Sequence, residues 1–88
     1  MGPKLKEIKF RPRTEAHDLA YKTRHVREFL EKGHSVRLVV MFRGREIVHP
    51  DIGETLLRRV LSDVSDLGQP VKTPVMNGKT MMITVVPR

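Results

Sequence analysis

The chain of 88 residues contains no cysteine and no tryptophan. The absence of thiols excludes a disulfide framework and a thiolate metal site. The chain also lacks an apolar run of about 20 residues, the length that a helix needs to cross a bilayer. Residues 1–4 lead into charged residues rather than into the apolar core of a signal peptide, so we expect a soluble, cytoplasmic protein.

Residues that build catalytic and metal centres are sparse as well. The serines lie outside any nucleophile-elbow pattern, and no paired carboxylates stand out. The histidines lie on predicted loops or on a polar helix face, without a spacing typical of a metal site. They are His17, His25, His34 and His49. We therefore expect a protein that is not an enzyme and that carries no metal and no cofactor.

The chain carries a formal net charge of +7, and all of this excess lies in its first half. Residues 1–45 contain twelve Lys or Arg and five Asp or Glu, whereas residues 46–88 contain five of each. A solvated surface usually mixes both signs, so a one-sided excess favours a polyanionic partner, first of all nucleic acid. The basic residues are not gathered on one amphipathic helix, which disfavours a membrane surface. A basic charge that serves only solubility remains an alternative.

Periodicity predicts the elements of the first half. Residues 5–10 alternate as a short strand with one apolar face. An apolar stripe over residues 15–32 predicts a helix, capped by Thr14 and ended by Gly33 in a left-handed conformation. Residues 35–43 alternate again and predict a central strand.

The second half continues the alternation of strands and helices. Pro50 fits the first turn of a second helix, whose buried stripe runs from Ile52 to Val64. Residues 71–76 predict an edge strand, and Asn77-Gly78 predicts a hairpin turn into a last strand over residues 79–86. The order β-α-β-α-β-β predicts a single α+β domain, a two-layer sandwich with two helices packed on one face of a four-stranded mixed sheet.

Two features of this layout favour nucleic acid. Arg43 and Arg45 flank Gly44 directly after the central strand, so that two guanidinium groups leave a tight corner that a partner backbone is able to approach. Tyr21 lies opposite the buried stripe of the first helix, close to Arg24, where an aromatic ring can stack on an unpaired base. An ordinary solvated corner and a surface tyrosine that supports its own helix are the respective alternatives.

Several segments together resemble the C-terminal domain of bacterial translation initiation factor 3. They are residues 6–11 (KEIKFR), 17–18 (HD), 22–24 (KTR), 29–33 (FLEKG), 41–46 (MFRGRE), His49 with residues 52–53 (IG), and residues 85–88 (VVPR). The resemblance implies the strand and helix order predicted above. It also implies a domain over residues 6–88 that binds the small ribosomal subunit. Residues 1–5 are then an N-terminal extension, either a linker remnant or expression-derived, and the second domain of the family is expected to be absent.

The resemblance implies a set of RNA-binding residues: Arg11, Lys22, Arg24, Arg43, Arg45, Arg59 and Lys79. Leu19 departs from the family pattern, which often has an aromatic residue at that position. Glu28 stands where a basic residue is common, and the neighbouring Arg27 is a candidate to compensate. Lys79 replaces a common Arg, which keeps a phosphate contact but loses a bidentate fork.

The function implied is non-catalytic. The domain is expected to bind ribosomal RNA of the small-subunit platform, with ribosomal proteins nearby, and to prevent premature joining of the large subunit. A monomer without a membrane partner is expected. Two alternatives stay open: a general module that binds structured RNA, and a basic protein-interaction domain.

Overall fold

The computed structural model describes residues 4–88, so residues 1–3 of the predicted N-terminal extension lie outside the described part of the chain. The elements are β1 (Leu5–Phe10), α1 (Ala16–Glu31), β2 (Ser35–Met41), a 3-10 turn (Glu46–Val48), α2 (Pro50–Asp63), β3 (Gly68–Pro70), β4 (Val75–Asn77) and β5 (Thr80–Pro87). The predicted α+β class, with two helices on one side of a mixed sheet, is confirmed. Leu5, expected to close the N-terminal extension, is the first residue of β1.

The sheet is mixed because β1 runs parallel to β2, whereas β5 runs antiparallel to β2, β3 and β4. Its spatial order is β1, β2, β5 and then an outer position that β3 and β4 share along the two halves of β5. The described sheet therefore has five strands, and the prediction of four with a continuous outer strand over residues 71–76 is wrong. Pro70 and Pro74 flank the break, and neither has a backbone N–H to donate to a strand ladder.

One apolar core fills the space between the helices and the sheet. The predicted stripe of α1 is confirmed from its second turn onward, whereas Ala16 is exposed at the first residue of the helix. The buried side chains of the two helices are Leu19, Thr23, Val26, Leu30, Leu56, Leu57 and Val60, with Val64 just beyond α2. Within residues 4–88, neither helix has the length and apolar character required to span a membrane.

The predicted C-terminal stop of α1 is confirmed, whereas its predicted N-terminal cap is not. Gly33 has a φ of +85° directly after the helix, as predicted for a left-handed stop. The predicted cap by Thr14 is wrong, because the N-cap position belongs to Glu15 and carries no side-chain hydrogen bond. The Thr14 hydroxyl lies one residue too early and donates instead to Asp18 Oδ2 at 2.9 Å.

Candidate nucleic-acid interface

Three arginines converge where the parallel strands β1 and β2 end. Parallel strands finish at the same edge of a sheet, and Phe10 of β1 pairs with Val40 of β2. The residues that follow these ends, Arg11, Arg13 and Arg43, line one cleft of about 220 Å³ together with Glu46. We call the exposed cations at this edge the basic end; they are Arg11, Arg13, Arg43, Arg45 and Lys79.

The turn after β2 is held by two hydrogen bonds between its first and last residues. The backbone N–H of Arg43 donates to Glu46 Oε1 at 2.8 Å, and the backbone N–H of Glu46 donates to the Arg43 carbonyl at 2.8 Å. Gly44 is not among the glycines with positive φ, and no heavy atom lies within 4 Å of a Cβ placed on it. The turn does not depend on a left-handed glycine, because hydrogen bonds between Arg43 and Glu46 close it. Gly44 remains an open stretch of backbone between two exposed arginines.

Arg45 faces a second cleft beside the first. This cleft has a volume of about 300 Å³ and is lined by Arg13, Arg45, Glu46, His49 and Ile52. Since Arg13 and Glu46 line both clefts, the two clefts are adjacent. Arg13 is not among the RNA-binding residues expected from the sequence, although its place in Arg11-Pro12-Arg13, directly after the first predicted strand, is a signal that points to it.

The turn after β2 packs against α2 through a close contact between the Phe42 ring and Gly53. Phe42 is buried, and a Cβ added at Gly53 of α2 would lie 3.2 Å and 3.3 Å from its Cε1 and Cε2 atoms, and closer still to Cζ. Only a residue without a side chain at position 53 allows this approach. The packing of Phe42 against Gly53 thus sets the distance between the arginine turn and the first turns of α2.

Of two further predicted residues, Lys79 belongs to the basic end and Arg59 borders it. Lys79 lies next to the turn, because its carbonyl accepts a hydrogen bond from the Phe42 backbone N–H at 2.8 Å. Arg59 lines a groove of about 360 Å³ between α2 and the segment that leads into α1. Ile52 lines both this groove and the second cleft, which joins Arg59 to the basic end. Asp51 also lines the groove, so its field is less positive than that of the basic end.

Lys22 and Arg24 of α1 have different surroundings. Lys22 Nζ donates to the Lys9 carbonyl at 2.7 Å, lies 3.5 Å from Asp18 Oδ2 and stands 5.7 Å from the centre of the Phe10 ring. Its charge is therefore already engaged at the free edge of β1. Arg24 is exposed, forms no ion pair within residues 4–88 and lies on the outer face of α1 rather than at the basic end.

Arg27 is engaged inside the protein and does not replace a basic residue at position 28. Its guanidinium donates to both carboxylate oxygens of Asp66, at 2.9 Å and 3.0 Å, and to the Asp63 carbonyl at 2.8 Å. These hydrogen bonds lower the pKa of the Asp66 carboxyl and raise the pKa of Arg27. The pair ties α1 to the end of α2.

Two other features of the surface do not contribute to this site. A cavity of about 490 Å³ lies beside the break between β3 and β4 and is lined by Val71, Val75 and Met82 among others, away from the basic end. Within residues 4–88 no three His, Cys, Asp or Glu side chains form a group that holds a metal ion.

Comparison with known proteins gives a consistent result. The family described as the C-terminal domain of translation initiation factor IF-3 matches residues 3–88. The chain is 42% identical over 84 residues to translation initiation factor IF-3 of Geobacter metallireducens, covering 96% of this chain and 49% of the relative. It is 42% identical over 83 residues to the factor of Thermus thermophilus, covering 94% and 48%. The factor of Deinococcus deserti is 45% identical over 84 residues, covering 96% and 40%.

The chain spans about half the length of the curated relatives it matches. The family match over residues 3–88 confirms the resemblance of the sequence to this family for the domain that the chain comprises. The family is one of translation factors and not of enzymes.

Proposed function

The chain belongs to the family of translation initiation factor IF-3 C-terminal domains, and we propose that it binds the small ribosomal subunit through ribosomal RNA and keeps the large subunit from joining too early. The observation that carries this proposal is the basic end, where Arg11, Arg13 and Arg43 line one cleft. The carboxylate in that cleft, Glu46, accepts a hydrogen bond from the backbone of the turn.

The basic end suits the phosphate backbone of a folded RNA. Guanidinium groups bind phosphates through two parallel hydrogen bonds, which fixes orientation as well as affinity. The arginines leave a sheet edge and a hydrogen-bonded turn, so little backbone conformational entropy is lost when they are ordered on a partner. The open backbone at Gly44 allows a phosphate or a sugar to approach between Arg43 and Arg45.

The seven residues selected from the sequence are not equivalent under this proposal. Arg11, Arg43, Arg45 and Lys79 lie at the basic end, and Arg59 borders it. Arg24 contacts RNA only where the RNA extends along the outer face of α1. Lys22 contributes least, since it already binds the Lys9 carbonyl and Asp18.

Prevention of subunit joining requires no catalysis under this proposal. A domain bound on the platform of the small subunit occupies surface that the large subunit needs, and it acts in the cytoplasm as a monomer. Ribosomal proteins near the bound RNA are secondary partners. The activity of the complete factor also depends on the half of the relatives' length that lies outside this chain.

The test is co-sedimentation of the domain with purified small subunits across a salt series, followed by addition of large subunits. Each neutralised phosphate is expected to steepen the salt dependence by about 0.7–0.9 in logarithmic slope, so five contacts give a slope of about 4. The domain should also lower the yield of joined ribosomes. Binding to unrelated structured RNA with equal affinity at matched salt would indicate a general RNA-binding module instead.

A pair of double variants tests the site. Arg43→Glu/Arg45→Glu is expected to weaken small-subunit binding at least tenfold, because charge-assisted hydrogen bonds contribute about 1.5–3 kcal/mol each. Lys4→Glu/Lys72→Glu changes the net charge equally at exposed positions away from the basic end, and it should bind nearly as the wild type does. Equal loss of binding in both variants would refute the site. Capture of a partner that survives nuclease treatment would favour a protein-interaction domain.

A further inference from the structure

Four aromatic side chains form a continuous row along α1 and its C-terminal turn. The ring centres of Tyr21 and His25 are 4.7 Å apart, those of His25 and Phe29 are 6.4 Å apart, and those of Phe29 and His34 are 6.5 Å apart. Residues four apart on a helix are neighbours on its surface, which explains the first two contacts. We call these four residues the aromatic row.

The aromatic row is anchored at one end and exposed at the other. Phe29 packs against the core and lies 5.6 Å from Lys6 Nζ, while His34 Nδ1 accepts a hydrogen bond from the Lys4 backbone N–H at 3.1 Å. Tyr21 is 54% exposed. Its ring meets that of His25 edge to face, with an angle of 71° between the planes. This contact orients the Tyr21 ring before any partner arrives.

A guanidinium group without an ion pair in the described residues lies beside Tyr21 on the outer face of α1. Arg24 lies three residues further along α1, on the same side of the helix, and forms no ion pair within residues 4–88. Of the two nearby carboxylates, Asp18 is engaged by the Thr14 hydroxyl and by Lys22. Glu28 is exposed, and it belongs to the same outer surface of the helix. An exposed aromatic ring thus stands beside an available guanidinium.

We propose that Tyr21, oriented by His25, stacks on one unpaired RNA base while Arg24 contacts the adjacent phosphate. This inference rests on the proposed binding of ribosomal RNA and adds a single-stranded contact to it. Stacking on an aromatic side chain is the usual way in which proteins hold unstacked RNA bases. Leu19, two positions earlier on α1, does not serve as a contact here, because its side chain is buried in the core.

The surroundings favour an unpaired base over an apolar protein surface or a duplex. Around Tyr21 the outer face of α1 carries His17, Ala20, Arg24 and Glu28, so the ring is not part of an apolar patch of the kind that marks a protein interface. Duplex RNA hides the faces of its bases and offers only phosphates, sugars and groove edges. A base in a loop, a bulge or an end offers the flat face that Tyr21 fits.

The composition of the chain provides a direct optical test, because Tyr21 is its single tyrosine and the chain has no tryptophan. Titration with a short, unstructured oligoadenylate is expected to quench the intrinsic tyrosine fluorescence to a saturating limit. The same strand, when it is paired with its complement, should bind at the basic end and leave most of the tyrosine fluorescence unquenched. Absence of quenching at a concentration where anisotropy of labelled oligoadenylate shows binding would overturn the inference, as would equal quenching by the duplex.

Variants separate stacking from a structural role. Tyr21→Phe keeps a stacking ring and should bind oligoadenylate and small subunits nearly as the wild type does. Tyr21→Leu should weaken both by about fivefold or more without a change in thermal stability. Val71→Ala, which alters a side chain of similar exposure (53%) on the opposite side of the sheet from α1, is the matched control. Wild-type affinity of Tyr21→Leu for both ligands would overturn the inference.

The outcomes for the two proposals are distinguishable. If the wild type binds small subunits but Tyr21→Leu does so equally well, the stacking inference is wrong and the proposed function stands. If the wild type does not bind small subunits at low salt, the proposed function is wrong, whatever the result with oligoadenylate.

Discussion

Gly53→Ala is the substitution whose effect follows most directly from the packing beneath the arginine turn. In an exposed helix this change adds about 1 kcal/mol of stability, because glycine is the poorer helix former. Here the new methyl group would lie 3.2 Å and 3.3 Å from Cε1 and Cε2 of the buried Phe42, and closer to Cζ. Overpacking of a core costs about 1–3 kcal/mol, and contact with three atoms of one ring places this case near the upper value. The free energy of unfolding should therefore fall by about 2 kcal/mol.

Urea denaturation followed by far-ultraviolet circular dichroism measures this difference. For a domain of this size, 2 kcal/mol corresponds to a fall in Tm of about 10 °C. Since Phe42 directly precedes Arg43, displacement of its ring should also weaken small-subunit binding under conditions where the variant is fully folded. The slope of the unfolding transition with urea should stay unchanged, because the surface exposed on unfolding is the same.

Gly44→Ala is the matched control, because it makes the same chemical change nine residues earlier. At this position the new methyl group would have no heavy atom within 4 Å outside the adjacent residues, and φ is not positive. We expect its stability to be unchanged or higher by up to about 1 kcal/mol. A Gly53→Ala variant as stable as the wild type would refute the packing argument. A Gly44→Ala variant destabilised by the same amount as Gly53→Ala would refute it as well.

Two further predictions concern stability. Thr23 is buried and its hydroxyl has no hydrogen-bond partner within residues 4–88, so Thr23→Val should raise the free energy of unfolding by about 1 kcal/mol, measured as an increase in Tm; a lower Tm would show that the hydroxyl is bonded. Arg27 lowers the pKa of Asp66, so the contribution of this carboxylate is present above its unfolded pKa of about 3.9 and is lost as the pH falls through the lower folded pKa. The stability difference between wild type and Asp66→Asn should therefore shrink between about pH 5 and pH 2 in urea denaturation, and a constant difference would contradict the ion-pair interpretation.

The sequence pattern predicted correctly the features that depend only on residues within one helix or strand. The stripe of α1, the left-handed Gly33 and the strand over residues 5–10 depend on periodicity and on backbone preference, and all three are confirmed. The cap by Thr14 failed because the helix begins one residue later than predicted, and helix ends are the boundaries that local pattern fixes least well. The outer strand failed because alternation cannot show how two prolines divide one ladder.

The sequence pattern also did not show which basic side chains of α1 are free to bind a partner. Lys22, Arg24 and Arg27 look alike as basic residues on one helix. In the structure Lys22 binds the Lys9 carbonyl, Arg27 binds Asp66, and Arg24 remains exposed without an ion pair in the described residues. The partners lie 13 residues away for Lys22 and 39 residues away for Arg27. The spacing of residues within α1 shows the Asp18 partner of Lys22 but neither of these long-range partners.

The sequence by itself determined the two helices, the strands β1, β2 and β5, their order and the charge excess of the first half, because these properties depend on residues close together in the chain. The tertiary structure decided which cations act together. Arg11 and Arg13 meet Arg43 because β1 and β2 pair in parallel and end at one edge of the sheet, which joins residues about 30 positions apart. The position of the turn after β2 also depends on a long-range contact, because only the absence of a side chain at Gly53 lets Phe42 pack against α2.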